Sequence, residues 1–259
     1  EHIKGIDKIL NRTATMIDQG HIIAVKGLGG FHLMCDATNE EAVARLRSRK
    51  MREGKPFAVM FGSLEKAGEY VEISDAESQI LTSWRRPIVL LKSGRELAPS
   101  VNNGFQRTGV MLPYMPIHHQ LFEKLKTPSV VLTSGNLSDE PIILDNRKAV
   151  ETLGGIANAT LVYNRDIFNR TDDSVGFVAG GKPSLIRRSR GFVPSPVRTQ
   201  LKVDGIFAAG AELVNSFAMG KENLAMMSQH IGDLKNFETY AFYEETVDKF
   251  RHLFRVTPK

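Results

Sequence analysis

Ile6, Ile9, Leu10, Thr13 and Ile17 fall on one face at helical spacing, which predicts an amphipathic helix over 6–18, closed by Gly20. The apolar run at 21–26 predicts a buried strand, and 57–61, 88–91, 109–112 and 129–133 predict others of the same kind. Helices are predicted between them. Asn39 has the side chain of an N-cap for a helix through Arg49, with Glu40 and Glu41 in its first turn, and Ser63 caps a shorter one. Further helices are predicted at 75–84, 117–125 and 145–153, a strand at 161–163, and a hairpin from 174–178 and 184–186. Strands that alternate with helices of this length predict an α/β domain with a mostly parallel or mixed sheet.

The pattern changes at residues 191–196, where two prolines and a lack of periodicity predict a linker. Short strands are predicted beyond it at 205–209, 213–219 and 224–227. A helix then carries Tyr240, Tyr243, Val247, Phe250 and Phe254 on one stripe. The expected organisation is one domain over 1–198 and the opening of a second α/β domain over 199–259.

Composition narrows the class. The 259 residues are 42% hydrophobic and 24% charged, ordinary for a globular protein with a real core. Neither 129–133 nor 88–91 is long enough to span a bilayer, and no apolar h-region follows the first residues. A single cysteine, Cys35, excludes an internal disulfide framework or a zinc ribbon within the chain. The expected compartment is the cytoplasm, with no membrane association. The net charge of +5 matters less than its placement. Arg45, Arg47, Arg49, Lys50, Arg52 and Lys55 form one cluster; Arg187, Arg188, Arg190 and Arg198 form another. Brought together they suit a polyphosphate, left apart they suit RNA, and each alone can be a solvated face.

Three segments carry candidate chemistry. Lys50-x-Arg52 with Lys55 lies between a helix end and a strand, where a point charge and a rigid fork can hold phosphate oxygens or merely complement the helix dipole. Thr133-Ser134-Gly135-Asn136 follows a buried strand and can hold a phosphate or small acyl group, or simply make a turn. The acids Asp172 and Asp173, near Ser174 and the arginines at 187–190, can orient those arginines, hold magnesium, or simply form a loop. The glycines at 27–30 complete neither a dinucleotide fingerprint nor a P-loop, and His32 with Cys35, or His118 with His119, makes no full metal-ligand set.

Lys50-x-Arg52, Lys55-Pro56-Phe57 and the run 133–141 resemble the YrdC/Sua5 domain. Residues 27–33 with Cys35-Asp36-Ala37, 169–175 and 188–194 resemble its HypF branch, the hydrogenase-maturation carbamoyltransferases. Residues 210–217 and 228–234 resemble the start of that family's next domain, which has the fold of the tRNA threonylcarbamoyl transferases. The resemblance implies a YrdC-like twisted mixed sheet with flanking helices. It implies an enzyme that joins carbamate, derived from carbamoyl phosphate, to ATP as carbamoyl-adenylate, magnesium accompanying the ATP. A HypE-like partner's C-terminal cysteine would then receive the carbamoyl group, which becomes a cyanide ligand of the nickel–iron hydrogenase. Carried onto this chain, it assigns catalysis to Lys50, Arg52, Ser134 and Asn136, and nucleotide binding also to Lys55, Thr133, Ser174, Arg188 and Arg190. It assigns no metal ligand here, since the family's zinc region and its acylphosphatase-like domain lie upstream. Two rivals differ in what they require. Threonylcarbamoyl-adenylate synthesis needs an arginine where this chain has Met111, and an RNA-binding module without catalysis would ignore ATP.

Overall fold

The computed structural model describes residues 3–137 and 140–258. Within the motif at 133–141, Ser138 and Asp139 lie outside the described residues.

Helix α1 (Ile6–Asp18) turns Leu10, Thr13, Ala14 and Ile17 inward, while Ile6 at its first turn is 65% exposed. A hairpin of β1 (Ile23–Lys26) and β2 (Phe31–Asp36) follows. The hydrophobic pattern did not reveal β2. All of its residues are buried, so the in–out alternation that marks a half-exposed strand is missing. Helix α2 (Glu40–Arg49) begins where Asn39 accepts the Ala42 amide at 3.0 Å. Then come β3 (Ala58–Phe61), α3 (Leu64–Gly68) under its Ser63 cap, β4 (Val71–Glu72), and α4 (Asp75–Thr82) with a Ser74–Glu77 capping box. β5 (Ile88–Ser93), α5 (Pro99–Asn102), β6 (Arg107–Met111), α6 (Pro116–Phe122) and β7 (Ser129–Ser134) lead to α7 (Asn146–Leu153), capped by Asp145. β8 (Ala159–Leu161) and a hairpin of β9 (Val175–Ala179) and β10 (Lys182–Arg187) complete the run.

These strands make one ten-stranded mixed sheet in the order β10-β9-β5-β6-β3-β7-β2-β1-β8, with β4 added to β5. The parallel pairs are β3/β6, β5/β9 and β1/β8. On one face Leu46 of α2, Val101 of α5 and Leu153 of α7 join a core with Phe57, Val59 and Val131. On the other, Leu10 and Ile17 of α1 and Leu121 of α6 join Met60, Met111 and Leu132. The two helices on that second face leave part of the sheet uncovered, and the cleft described below lies there.

A second, four-stranded sheet follows, ordered β11 (Val197–Arg198), β14 (Leu224–Met227), β13 (Ala218–Lys221), β12 (Phe207–Ala208), with helix α8 (Phe237–Phe254) packed on it. The strand predicted at 213–219 begins only at Ala218. The Asn215 amide donates to the carbonyls of Ala209 and Ala211 and holds the preceding residues in a loop. The deepest face of α8 is Thr239, Phe242, Thr246 and Phe250, whereas Tyr240, predicted on the buried stripe, is 48% exposed. The proline-containing stretch at 191–196 is no flexible spacer. Gly191 has φ +84°, a Cβ there would lie only 2.8 Å from the Arg85 carbonyl oxygen, and Val193 packs into the second core. Among the described residues no helix is long and apolar enough to cross a membrane.

Candidate functional site

A cleft of about 1260 Å³ opens over the uncovered part of the large sheet. Ala58, Ile88, Leu90, Gly109 and Leu132 form its apolar floor. The loop at 50–56 makes one wall, the loop after β7 a second, and residues 170–173 with Arg187 a third. His230, Gly232 and Asp233, from beyond the proline-containing stretch, line the same space.

The structure brings Lys50, Arg52, Lys55, Thr133, Ser134 and Asn136 together on this cleft. Lys50 is 5% exposed, and its Nζ donates to the Ser134 carbonyl at 2.8 Å, the Asn136 carbonyl at 2.9 Å and Asn136 Oδ1 at 2.7 Å. An ammonium has three protons, so all of them are engaged. Lys50 thus shapes the Ser134–Asn136 turn and supplies it with charge. Ser134 Oγ donates to the same Asn136 Oδ1 at 2.8 Å, and the Asn136 amide donates to the Glu140 carbonyl. Gly135 is required here, because a Cβ would sit 2.7 Å from the Phe31 carbonyl.

Burial pushes Lys50 down to about 7, Arg52 adding to the effect and Asp172 opposing it. Burial likewise brings Arg52 down to about 10, with repulsion from Arg47 and Arg187 behind it. Cations held close in a partly dry cleft, each disfavouring the other's charge, are arranged to receive an anion.

Three sequence candidates are not on the cleft. Ser174 is fully buried, its Oγ donating to the Arg190 carbonyl and accepting the Ser189 amide. Arg190 is paired with Asp173 at 2.7 Å, donates to the carbonyls of Arg85 and Arg86, and lies 3.6 Å from the Tyr114 ring centroid. Arg188 donates to the carbonyls of Met227, Phe192 and Ser195, fastening the large sheet to the second unit. All three act as structural supports.

The arginine that faces the cleft from β10 is Arg187. The β9–β10 register shifts between Leu185 and Arg187, and such a bulge re-aims a side chain. Sequence reasoning placed Arg187 in the right cluster and chose its neighbours instead; nothing in the sequence marks the bulge. His32, weighed from the sequence only as a metal ligand with Cys35, has its Nε2 3.6 Å from Asp173, and both residues line the cleft. Asp173 is held far below the usual carboxylate range by Arg190 and His32, against the opposing effect of its burial. The glycines at 27–30 serve this corner. A Cβ on Gly29 would lie 2.3 Å from the Thr171 carbonyl, so the glycine lets the 171–173 loop close on the sheet.

The mixed sheet and its cationic cleft define the YrdC/Sua5 class of α/β domain. The family described as "Telomere recombination" (Sua5, YciO, YrdC) matches residues 15–189, and "HypF Kae1-like domain" matches 202–259. The chain belongs to the Sua5/YciO/YrdC family, and its last part matches the HypF Kae1-like domain. Carbamoyltransferase HypF of Synechocystis sp. is 43% identical over 259 residues, covering 98% of this chain and 33% of the relative. The crystal structure of full-length HypF in the phosphate- and nucleotide-bound form superposes with a TM-score of 0.93 at 45% identity, over 96% of this chain and 40% of that one. Sua5 of P. abyssi complexed with L-threonine shares the fold, with a TM-score of 0.64 at 19% identity over 73% of this chain and 56% of that one. The chain spans about a third of the length of the HypF relatives it matches.

Proposed function

We propose that the cleft binds ATP and condenses it with carbamate to carbamoyl-adenylate and pyrophosphate. The observation that carries this reading is the convergence of Lys50, Arg52, Lys55 and Arg187 on one cavity beside Ser134 and Asn136. A carbamate oxygen attacks the α-phosphorus, and the bond to the pyrophosphate oxygen breaks. Carbamate arrives ionised, so no general base is needed. Negative charge builds on the phosphate oxygens, where preorganised cations act most strongly. Arg52, Lys55 and Arg187 hold the phosphates; Ser134 and Asn136, set by Lys50, place the reacting groups. Magnesium coordinated by phosphates needs only one or two carboxylates. Asp173 is committed to Arg190, whereas Asp172, on the same wall of the cleft as Arg187, is an acid that would fit this part.

Carbamate rather than threonylcarbamate is favoured because Met111 is fully buried in the core under α6 and offers no charge to a threonine carboxylate. An RNA face is disfavoured because Arg45, Arg47, Arg49, Arg188 and Arg190 all donate to carbonyls of this chain. Within the whole cytoplasmic protein, the carbamoyl group passes to the cysteine of a HypE-like acceptor and on to a hydrogenase cyanide ligand. The test is pyrophosphate release from ATP by this chain with freshly prepared carbamate. Carbamate-dependent release without threonine supports the reading; a threonine requirement, or no pyrophosphate release that depends on carbamate, refutes it.

A further inference from the structure

Arg47, in the last turn of α2, lies over the Phe57 ring, 4.5 Å from its centroid. Its Nε and Nη2 donate to the Ser100 carbonyl at 3.0 and 2.6 Å. Nη1 donates to the carbonyls of Arg52, Glu53 and Lys55 at 2.8, 3.2 and 3.1 Å. Asn103 Nδ2 gives the Glu53 carbonyl a second donor at 2.9 Å. Carbonyls of a surface loop ordinarily face water; here they turn inward onto one cation.

That has a consequence for the other side of the loop. In a trans peptide the C=O and the following N–H point in opposite directions. With the carbonyls of Arg52 and Glu53 drawn to Arg47, the amides of Glu53 and Gly54 point away from it. Both residues line the cleft, and neither amide has a protein partner among the described residues. Consecutive amides beside cationic side chains make an anion-binding concavity.

We propose, on the nucleotide reading above, that Arg47 is a positioning residue. It holds the 52–55 loop in the shape that presents Arg52, Lys55 and the amides of Glu53 and Gly54 to a phosphate group of the nucleotide. Lysine at this position would keep the charge and lose the fork that gathers several carbonyls. Arg49 provides the control. It ends the same helix but donates to the Ile156 carbonyl, at 2.8 Å, outside the cleft.

The experiment is calorimetric titration of this chain and its R47K and R49K variants with ATP and with inorganic triphosphate, at matched folded fraction. R47K is expected to weaken both ligands about tenfold or more, because small displacements of a preorganised site are costly. R49K should change them less than about twofold. Equal affinities in R47K and the parent chain would overturn the proposal, as would equal losses in R47K and R49K. Should R47K fail to fold, N103G removes the second donor to the Glu53 carbonyl and keeps a residue that accepts the left-handed backbone at this position, φ +50°. It is expected to weaken triphosphate by about threefold, and an unchanged affinity would overturn the proposal. Failure of the nucleotide reading is seen separately, as a parent chain that binds neither ligand.

Discussion

The two basic clusters are built on opposite principles. In the first, Lys50, Arg52 and Lys55 leave a helix end and all reach the cleft. In the second, Arg187 reaches it, while Arg188 fastens the second unit and Arg190 neutralises buried Asp173. A loop can turn several neighbouring side chains to one side. A strand sends successive residues to opposite faces, and a bulge resets which face each takes. Charge density in sequence therefore says little about charge density in space once the residues lie on a strand.

The sharpest way to break this contrast is to remove Arg190. R190A leaves Asp173 buried without its partner, and a loss of about 3–5 kcal/mol is expected in urea unfolding. A loss under about 1 kcal/mol would show that Arg190 is not the support described. S174A deletes a fully buried bridge between the Arg190 carbonyl and the Ser189 amide, and should cost about 1–3 kcal/mol. ATP affinity, measured at matched folded fraction, should stay unchanged; a selective loss of affinity would return Ser174 to the cleft.

Arg187 and Arg188 separate the two roles most directly. R187A should weaken ATP binding about tenfold, on the order of 1.4 kcal/mol, with little change in unfolding midpoint. R188A should lower the midpoint and leave affinity alone. The reverse pattern would assign the cationic wall to the wrong arginine.

Lys50 gives the most specific signal, small over any one pH unit. Burial depresses it to about 7 in the fold from 10.5. Between those values the folded chain binds fewer protons than the unfolded one, so this residue makes stability rise with pH. The stability difference between the parent chain and K50M should therefore grow from pH 7 to 9, by on the order of 1 kcal/mol per pH unit. Parallel stability curves would show that Lys50 titrates normally.

Much of the fold was readable in order along the chain. Helices with caps, such as those begun by Asn39 and Ser63, announced themselves through local hydrogen bonding. β2 did not, because burial on both faces removes the period that marks a strand. The site divided the same way. Lys50, Arg52, Ser134 and Asn136 lie in segments whose chemistry is local, whereas the roles of Arg187, His32 and Asp173 depend on partners far away in the chain.

The sequence by itself determined the α/β class, the starts of the helices capped by Asn39 and Ser63, the buried strand before Ser134 and the family to which the motifs belong. These follow from periodicity, capping and short-range spacing, which act within a few residues. Only the tertiary structure decided which arginine of 187–190 meets the cleft, that Lys50 spends its protons on the 134–136 turn, and that residues 230–233 close the same cavity. Those outcomes depend on sheet register and on the docking of distant segments, and neither is encoded in any single stretch of the chain.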